Sequence, residues 1–332
     1  MAIEQEVPAD VNYVTTFCVR AFGWCALAVL AVFLINNYLV VTQSWPGISP
    51  IFGTKTTGPL SWIQLSAYLS GLGIAIAFVH FSDTRTLRSD SVSISSFNTF
   101  LIRACFWAVL LIGLFDMLVS FLRVEGLLSS VVGSELTKQL ARPQFRGAYL
   151  HVPLIGLGLV VAVFTRTLGF IWLSLLIVVA ELAIVITRFV FSYEQAFMGD
   201  LVRFWYGALF LFASAYTLLQ EGHVRVDVFY TNFTAKKKGL INAYGSILLG
   251  LSFGWTILLV GMNGKSAMIN MPIVNFEVSQ SGYGLYVKYL MASFLAVFAI
   301  TMIIQFVSYF FAAVADYREE PGKQLPDVPP TH

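Results

Sequence analysis

An all-α bundle of about eight membrane-crossing helices is the architecture expected of this chain, on three grounds. Of its 332 residues, 58% are hydrophobic and only 11% are charged, whereas a soluble domain carries roughly 25% charged residues. The apolar residues gather in long runs, and about 20 of them cross a bilayer core. The polar stretches between the runs are short, and none is long enough for a soluble domain. The net charge of +2 and the absence of any basic run longer than Lys236-Lys237-Lys238 speak against a nucleic-acid partner. Membrane lipid is the expected surroundings.

The segment Met1 to Thr16 is polar and acidic, with Glu4, Glu6 and Asp10. It lacks the positive start and small-residue cleavage site of a secretory signal, so the first apolar run is expected to stay in the membrane. Apolar runs mark spans near 17–41, 61–81, 99–122, 149–165, 168–192, 201–220, 239–262 and 285–314. The fourth is the weakest. Thr165-Arg166-Thr167 leaves it short, and fusing it with the fifth into one bent helix would make seven. The polar stretch 42–60 holds Pro46, Pro50 and Pro59, and 82–98, rich in Ser, Asp and Arg, is read as a loop. Between 123 and 148, Leu127, Val131, Leu136 and Leu140 alternate with polar residues, which suits a segment lying in the membrane interface. The Pro-rich, charged tail from Asp316 is expected to be disordered.

Orientation follows from Lys and Arg in short loops. With a cytoplasmic N-terminus and eight spans, Arg85, Arg88, Arg166, Arg225, the three lysines and Arg318 fall inside, against fewer basic residues outside. Both termini are therefore expected in the cytoplasm. Trp62, Tyr149, Trp205, Tyr283 and Tyr286 sit at span starts, where amphipathic rings favour the interface. Cys18, Cys25 and Cys105 form no CxxC pair and read as buried free thiols.

Two acids fall inside spans. Glu181 is the deepest, mid-way along the fifth, with Arg188 two turns on and on the same face. A charge at that depth costs about 2.5–3.5 kcal/mol on insertion scales. It is either an ion or proton site or, as preferred, a glutamate joining helices within the bundle. Asp116 lies near the outer end of the third span, and pairing with Arg123, seven residues on, is preferred to a transport role. Arg103 is expected to snorkel to the cytoplasmic interface. His80 and His151 fall at opposite edges, so no haem and no other cofactor is expected. Gly250 and Gly254, with Gly245 just before, form a small-residue packing stripe, and Ala67 and Gly71 form another. No phosphate loop, no nucleophile-base arrangement and no Pro/Gly break at a midplane is present, so neither an enzyme nor a complete transporter is indicated.

From about 170 to 315 the chain resembles the small membrane subunit (DctQ-type) of tripartite ATP-independent periplasmic (TRAP) transporters. Arg188-Phe189-Val190-Phe191 closes a first helix. A second helix runs into Glu221-Gly222-His223-Val224-Arg225-Val226-Asp227. The basic turn Lys236-Lys237-Lys238-Gly239 and two further helices follow, in the family's order and spacing. Asp200, Arg203 and Trp205 match the family's second-helix entry only in part. On this division, 1–165 is a four-helix membrane extension, 166–315 the small-permease-like region and 316–332 a cytoplasmic tail. Gly222 can end a helix in a left-handed conformation. Arg225 and Asp227 alternate with valines, so Gly222, His223, Arg225 and Asp227 are read as a structural turn or subunit contact. The resemblance implies a non-catalytic brace for a large permease subunit. It also implies a periplasmic substrate-binding protein and sodium-coupled uptake of an organic acid across a bacterial inner membrane. The alternatives are a self-sufficient transporter or channel coupled through Glu181, and a membrane redox subunit.

Overall fold

Residues 13–53, 58–166, 169–193, 195–220, 230–278 and 284–322 are described by the computed structural model. Eight helices among them are long and apolar enough to cross a membrane. We number them α1 (Tyr13–Thr42), α2 (Pro59–Phe81), α3 (Leu87–Val124), α4 (Pro143–Phe164), α5 (Phe170–Val190), α6 (Ala196–Leu219), α7 (Ala235–Gly261) and α8 (Lys288–Tyr317). The chain is a multi-pass, all-α membrane protein.

α4 and α5 are separate helices. Thr165 is extended after α4, and Gly169 enters α5 with φ 80°, a left-handed conformation glycine adopts without strain. The stretch 123–148 forms two short helices, Leu128–Val132 and Ser134–Leu140, and then the first turn of α4 with Pro143 at its start.

Two starts differ from the sequence reading. Most of the 82–98 stretch is not a loop, because α3 begins at Leu87 and runs 38 residues. Ser91, Ser95, Asn98 and Asp90 are buried against protein partners, whereas Ser89, Ser93 and Ser96 are exposed, so on the inner face polarity reports pairing and not exposure. Likewise Lys236-Lys237-Lys238 is the first turn of α7 and not a loop. Thr234 caps it by accepting from the Lys237 backbone N–H.

The helices contribute to two compact units, and α3, α6 and α8 run through both. Neither unit coincides with the sequence before or after residue 165. The first unit takes residues 1–98, 217–265 and 302–332. Its polar centre is Asp90, fully buried in the first turn of α3. Arg20 of α1 donates to it at 2.8 Å, Arg85 at 2.8 Å and Trp24 at 3.0 Å. Arg20 also donates to the backbone oxygen of Ser82 at 2.6 Å. Along the same stretch, α3 is laced to α8. Ser91 and Ser95 meet Ser308 at 2.9 and 2.7 Å, Gln305 donates to Ser95 at 3.1 Å, and Asn98 donates to Gln305 at 3.1 Å. Arg88 pairs with Asp316 at 3.0 Å. α7 meets α8 through Gly239, where an added Cβ would stand 2.5 Å from the Tyr317 backbone nitrogen and 2.7 Å from the Ala313 oxygen. Gly71 lies close to Val32 of α1.

The second unit takes residues 99–216 and 266–301. Its core is aromatic: Phe106, Phe204, Phe212 and Phe294 meet edge-on or tilted, with centroids 4.9–5.6 Å apart. Trp205 of α6 is buried against Gly113 of α3, whose missing side chain makes room for the indole, and donates to the Val109 oxygen at 3.3 Å. Gly158 of α4 approaches the backbone of Ala108 so closely that a Cβ would lie 2.6 Å from its nitrogen.

Trp205 and Tyr286 were expected at the interface and are instead buried, while Trp62 and Tyr149 are exposed. Tyr283 lies outside the described residues. Of the cysteines, expected to be buried, Cys18 is exposed.

Candidate functional site

Two intramembrane acids define the sites worth weighing, and they end up in opposite environments. Asp116, on α3, is fully buried. Its Oδ1 lies 3.3 Å from Arg146 Nε and 3.0 Å from His151 Nε2, and its Oδ2 accepts from the backbone N–H of Tyr286 at 2.9 Å. A carboxylate only accepts, so His151 donates from Nε2, and its Nδ1 is hydrogen-bonded to the Tyr289 hydroxyl 2.8 Å away. Arg146 is itself fully buried. It reaches Ser120 at 3.3 Å and stacks its guanidinium 4.3 Å above the Tyr286 ring. The Tyr286 hydroxyl donates to the Ala141 oxygen at 3.1 Å.

The expected Asp116–Arg123 pair is not formed. Arg123 donates to the Tyr286 hydroxyl instead, and Asp116 turns to α4. The local reason is a π turn at Gly147–His151 inside α4. Five residues apart on a regular helix, Arg146 and His151 would point away from each other. A π turn winds more loosely, and this brings both to the same carboxylate. Gly147 has no side chain where the Phe276 ring packs.

With Asp116, Arg146 and His151 all at 0% exposure, the cluster holds α3 and α4 to the start of α8. A buried ion pair joins helices firmly, because losing one partner strands the other charge. Arg103 donates to the Ala162 oxygen at 3.0 Å and to the Arg166 oxygen at 3.4 Å, and so caps the last carbonyls of α4.

Glu181 is different. α5 buries only Leu173, Ile177 and Ala180, one narrow stripe against the rest of the chain. Glu181 is exposed near the middle of the helix, and so is Arg188 two turns on. Among the described residues Glu181 makes no hydrogen bond or ion pair. The expected role of joining helices within the bundle is therefore not seen for Glu181, whose exposed side chain meets no hydrogen-bond or ion-pair partner among the described residues. Phe189 is 78% exposed.

The glycine stripe of α7 is spent inside the chain. Gly250 lies against Phe306 of α8 and Gly254 is buried, whereas Gly245 opens on a shallow apolar groove with Leu248, Leu249 and Phe253. Gly222, His223, Arg225 and Asp227 lie outside the described residues. Among the described residues no group of three or more His, Cys, Asp or Glu side chains could hold a metal.

Sequence reasoning missed Arg146, His151, Tyr286 and Tyr289 as a group, and Arg20 with Asp90. For the second pair a signal existed. Asp90 heads a Ser91–Ser95–Asn98 series at spacings of four and three, which is one face of a helix and not a loop.

Residues 176–316 match the family model described as "Tripartite ATP-independent periplasmic transporters, DctQ component". The match covers less than half of the chain, and it identifies this part as a DctQ domain, from mid-α5 to the end of α8. No curated protein and no solved structure matches the chain.

Proposed function

We propose that the chain is the small permease component of a TRAP transporter, bracing a large permease subunit in the bacterial inner membrane. The observation that carries this reading is the DctQ domain at 176–316, whose helices α5 to α8 make up the described part of that region. A periplasmic binding protein delivering an organic acid, with sodium as the coupling ion, completes the reading. Both termini lie in the cytoplasm, as the basic loops suggest. The Arg188-Phe189 pair and the turn holding Gly222, His223, Arg225 and Asp227 serve subunit contact and turn structure, not catalysis.

The first four helices are integral to the brace. Arg20, Asp90 and Arg88 in one unit, and Asp116, Arg146 and His151 in the other, come from before residue 165. Arg88 pairs with Asp316, Asp116 meets the Tyr286 backbone and His151 meets Tyr289, while Ser91 beside Asp90 meets Ser308, all four partners being from the DctQ domain. The alternative, a self-sufficient carrier coupled through Glu181, fits less well, because that carboxylate lies on the outer surface of α5.

The test is affinity purification of the tagged chain in mild detergent from cells that also express the large permease of the same source. Recovery of the two together, in near-equal amounts, is expected. Recovery of this chain alone overturns the reading.

A further inference from the structure

We propose that the exposed face of α5 centred on Glu181 is the seat of the large permease subunit. The occupant is one of its membrane helices, carrying an arginine, lysine or histidine at the depth of Glu181. This rests on the small-permease reading and adds the surface, the anchoring residue and the chemistry of its partner.

α5 is the most exposed of the eight spans, with Trp172, Leu175, Val178, Val179, Leu182 and Val185 about half or more exposed. Apolar exposure alone suits lipid and would say nothing of a partner. The carboxylate changes that. Val178, Glu181, Val185 and Arg188 follow at spacings of three, four and three, so they form one stripe. Glu181 is near the centre of a 21-residue helix, about three turns from either end, too deep for its short side chain to reach the headgroups. Hydrocarbon offers it no donor. Among the described residues none is supplied by this chain. Intramembrane acids face protein or water and pair there. The complement of a bare carboxylate is a cationic donor on a helix that lies against it. The stripe's second charge, Arg188, is near the helix end and asks for an acceptor at the membrane edge. An incoming helix therefore meets an ordered pair of charges as well as an apolar surface, which fixes its register and direction.

The contrast with α7 supports the choice. The groove at Gly245 is apolar and open, but Gly250 and Gly254 already pack within the chain, and no charge there requires a partner.

The experiment uses the full chain co-expressed with the large permease. A photo-crosslinking residue is placed in turn at Val178, Val185, Ile74 of α2 and Leu249 of α7, all exposed. Adducts with the large permease are expected from positions 178 and 185 and not from 74 or 249. In parallel, Glu181→Leu should lower recovered complex by about tenfold or more, while Ile74→Ala leaves it unchanged. Normal recovery of the Glu181→Leu complex overturns the proposal. So do adducts from 249 alone, or an adduct of two copies of this chain from 178. Each of those leaves the small-permease reading standing as long as the wild-type chain recovers the large permease. If the wild-type chain recovers no large permease, both readings fail.

Discussion

Asp116 and Glu181 look alike in the sequence: each is an acid in an apolar run with an arginine seven residues later. Their surroundings differ completely. Asp116 has two basic partners and a backbone donor inside the chain, and its neighbour Arg123 is occupied elsewhere. Glu181 has no partner among the described residues and lies on the outer face of α5. The difference separates two duties that hydropathy cannot distinguish. α3 carries polar groups that the chain satisfies for itself. α5 carries one that it leaves to something else. It is also notable that α3 precedes the DctQ domain, whereas α5 opens it. The helices outside the domain supply much of the internal lacing, and the domain keeps an unsatisfied acid on its surface.

Three single substitutions and one double in the isolated chain break or sharpen this contrast. Asp116→Ala strands the buried Arg146 charge and should cost about 3–5 kcal/mol, read as a large fall in the thermal unfolding midpoint in detergent. Adding Arg146→Met should recover part of the loss. An unchanged midpoint for the single variant would place Asp116 with Glu181 and dissolve the comparison. Gly239→Ala forces a methyl against the Tyr317 and Ala313 backbones, which cannot rotate away as a side chain can. It should cost about 1–3 kcal/mol by overpacking, measured in the same way. Glu181→Leu should leave the midpoint of the isolated chain within about 0.5 kcal/mol, since nothing inside depends on that carboxylate. A clear loss there would show that Glu181 serves the internal fold after all.

The eight spans were legible because length and apolarity decide what crosses a bilayer, and both are written locally. The sequence leaves the division at Thr165-Arg166 open, and it is the left-handed Gly169 at the start of α5 that marks it in the structure. The start of α3 was not read. Ser91, Ser95, Asn98 and Asp90 resemble a loop until one knows that Ser308, Gln305 and Arg20 answer them, and those partners come from elsewhere in the chain. The Asp116 network was hidden for a different reason. Its register depends on the π turn at Gly147–His151, which shifts side chains off the ordinary helical period. Glu181 falls mid-helix, as its place in the apolar run implied, yet sequence could not say which way it faced. Facing depends on which side of α5 the other helices cover, and the stripe of Leu173, Ile177 and Ala180 emerges only with the packed chain.

The lacing of Ser91, Ser95 and Asn98 to Ser308 and Gln305 also sets a timetable for biogenesis. The two sides are separated by up to 217 residues. At about 5–20 residues per second of synthesis, the partner serine emerges roughly 10–40 s after α3. For that interval the newborn α3 holds hydroxyl and amide groups with no final partner and must wait at the translocon, or against α1, where Arg20 is already present to hold Asp90. α8 is thus the helix that releases α3, so translation stalled before residue 305 should leave α3 open to capture by quality-control proteases.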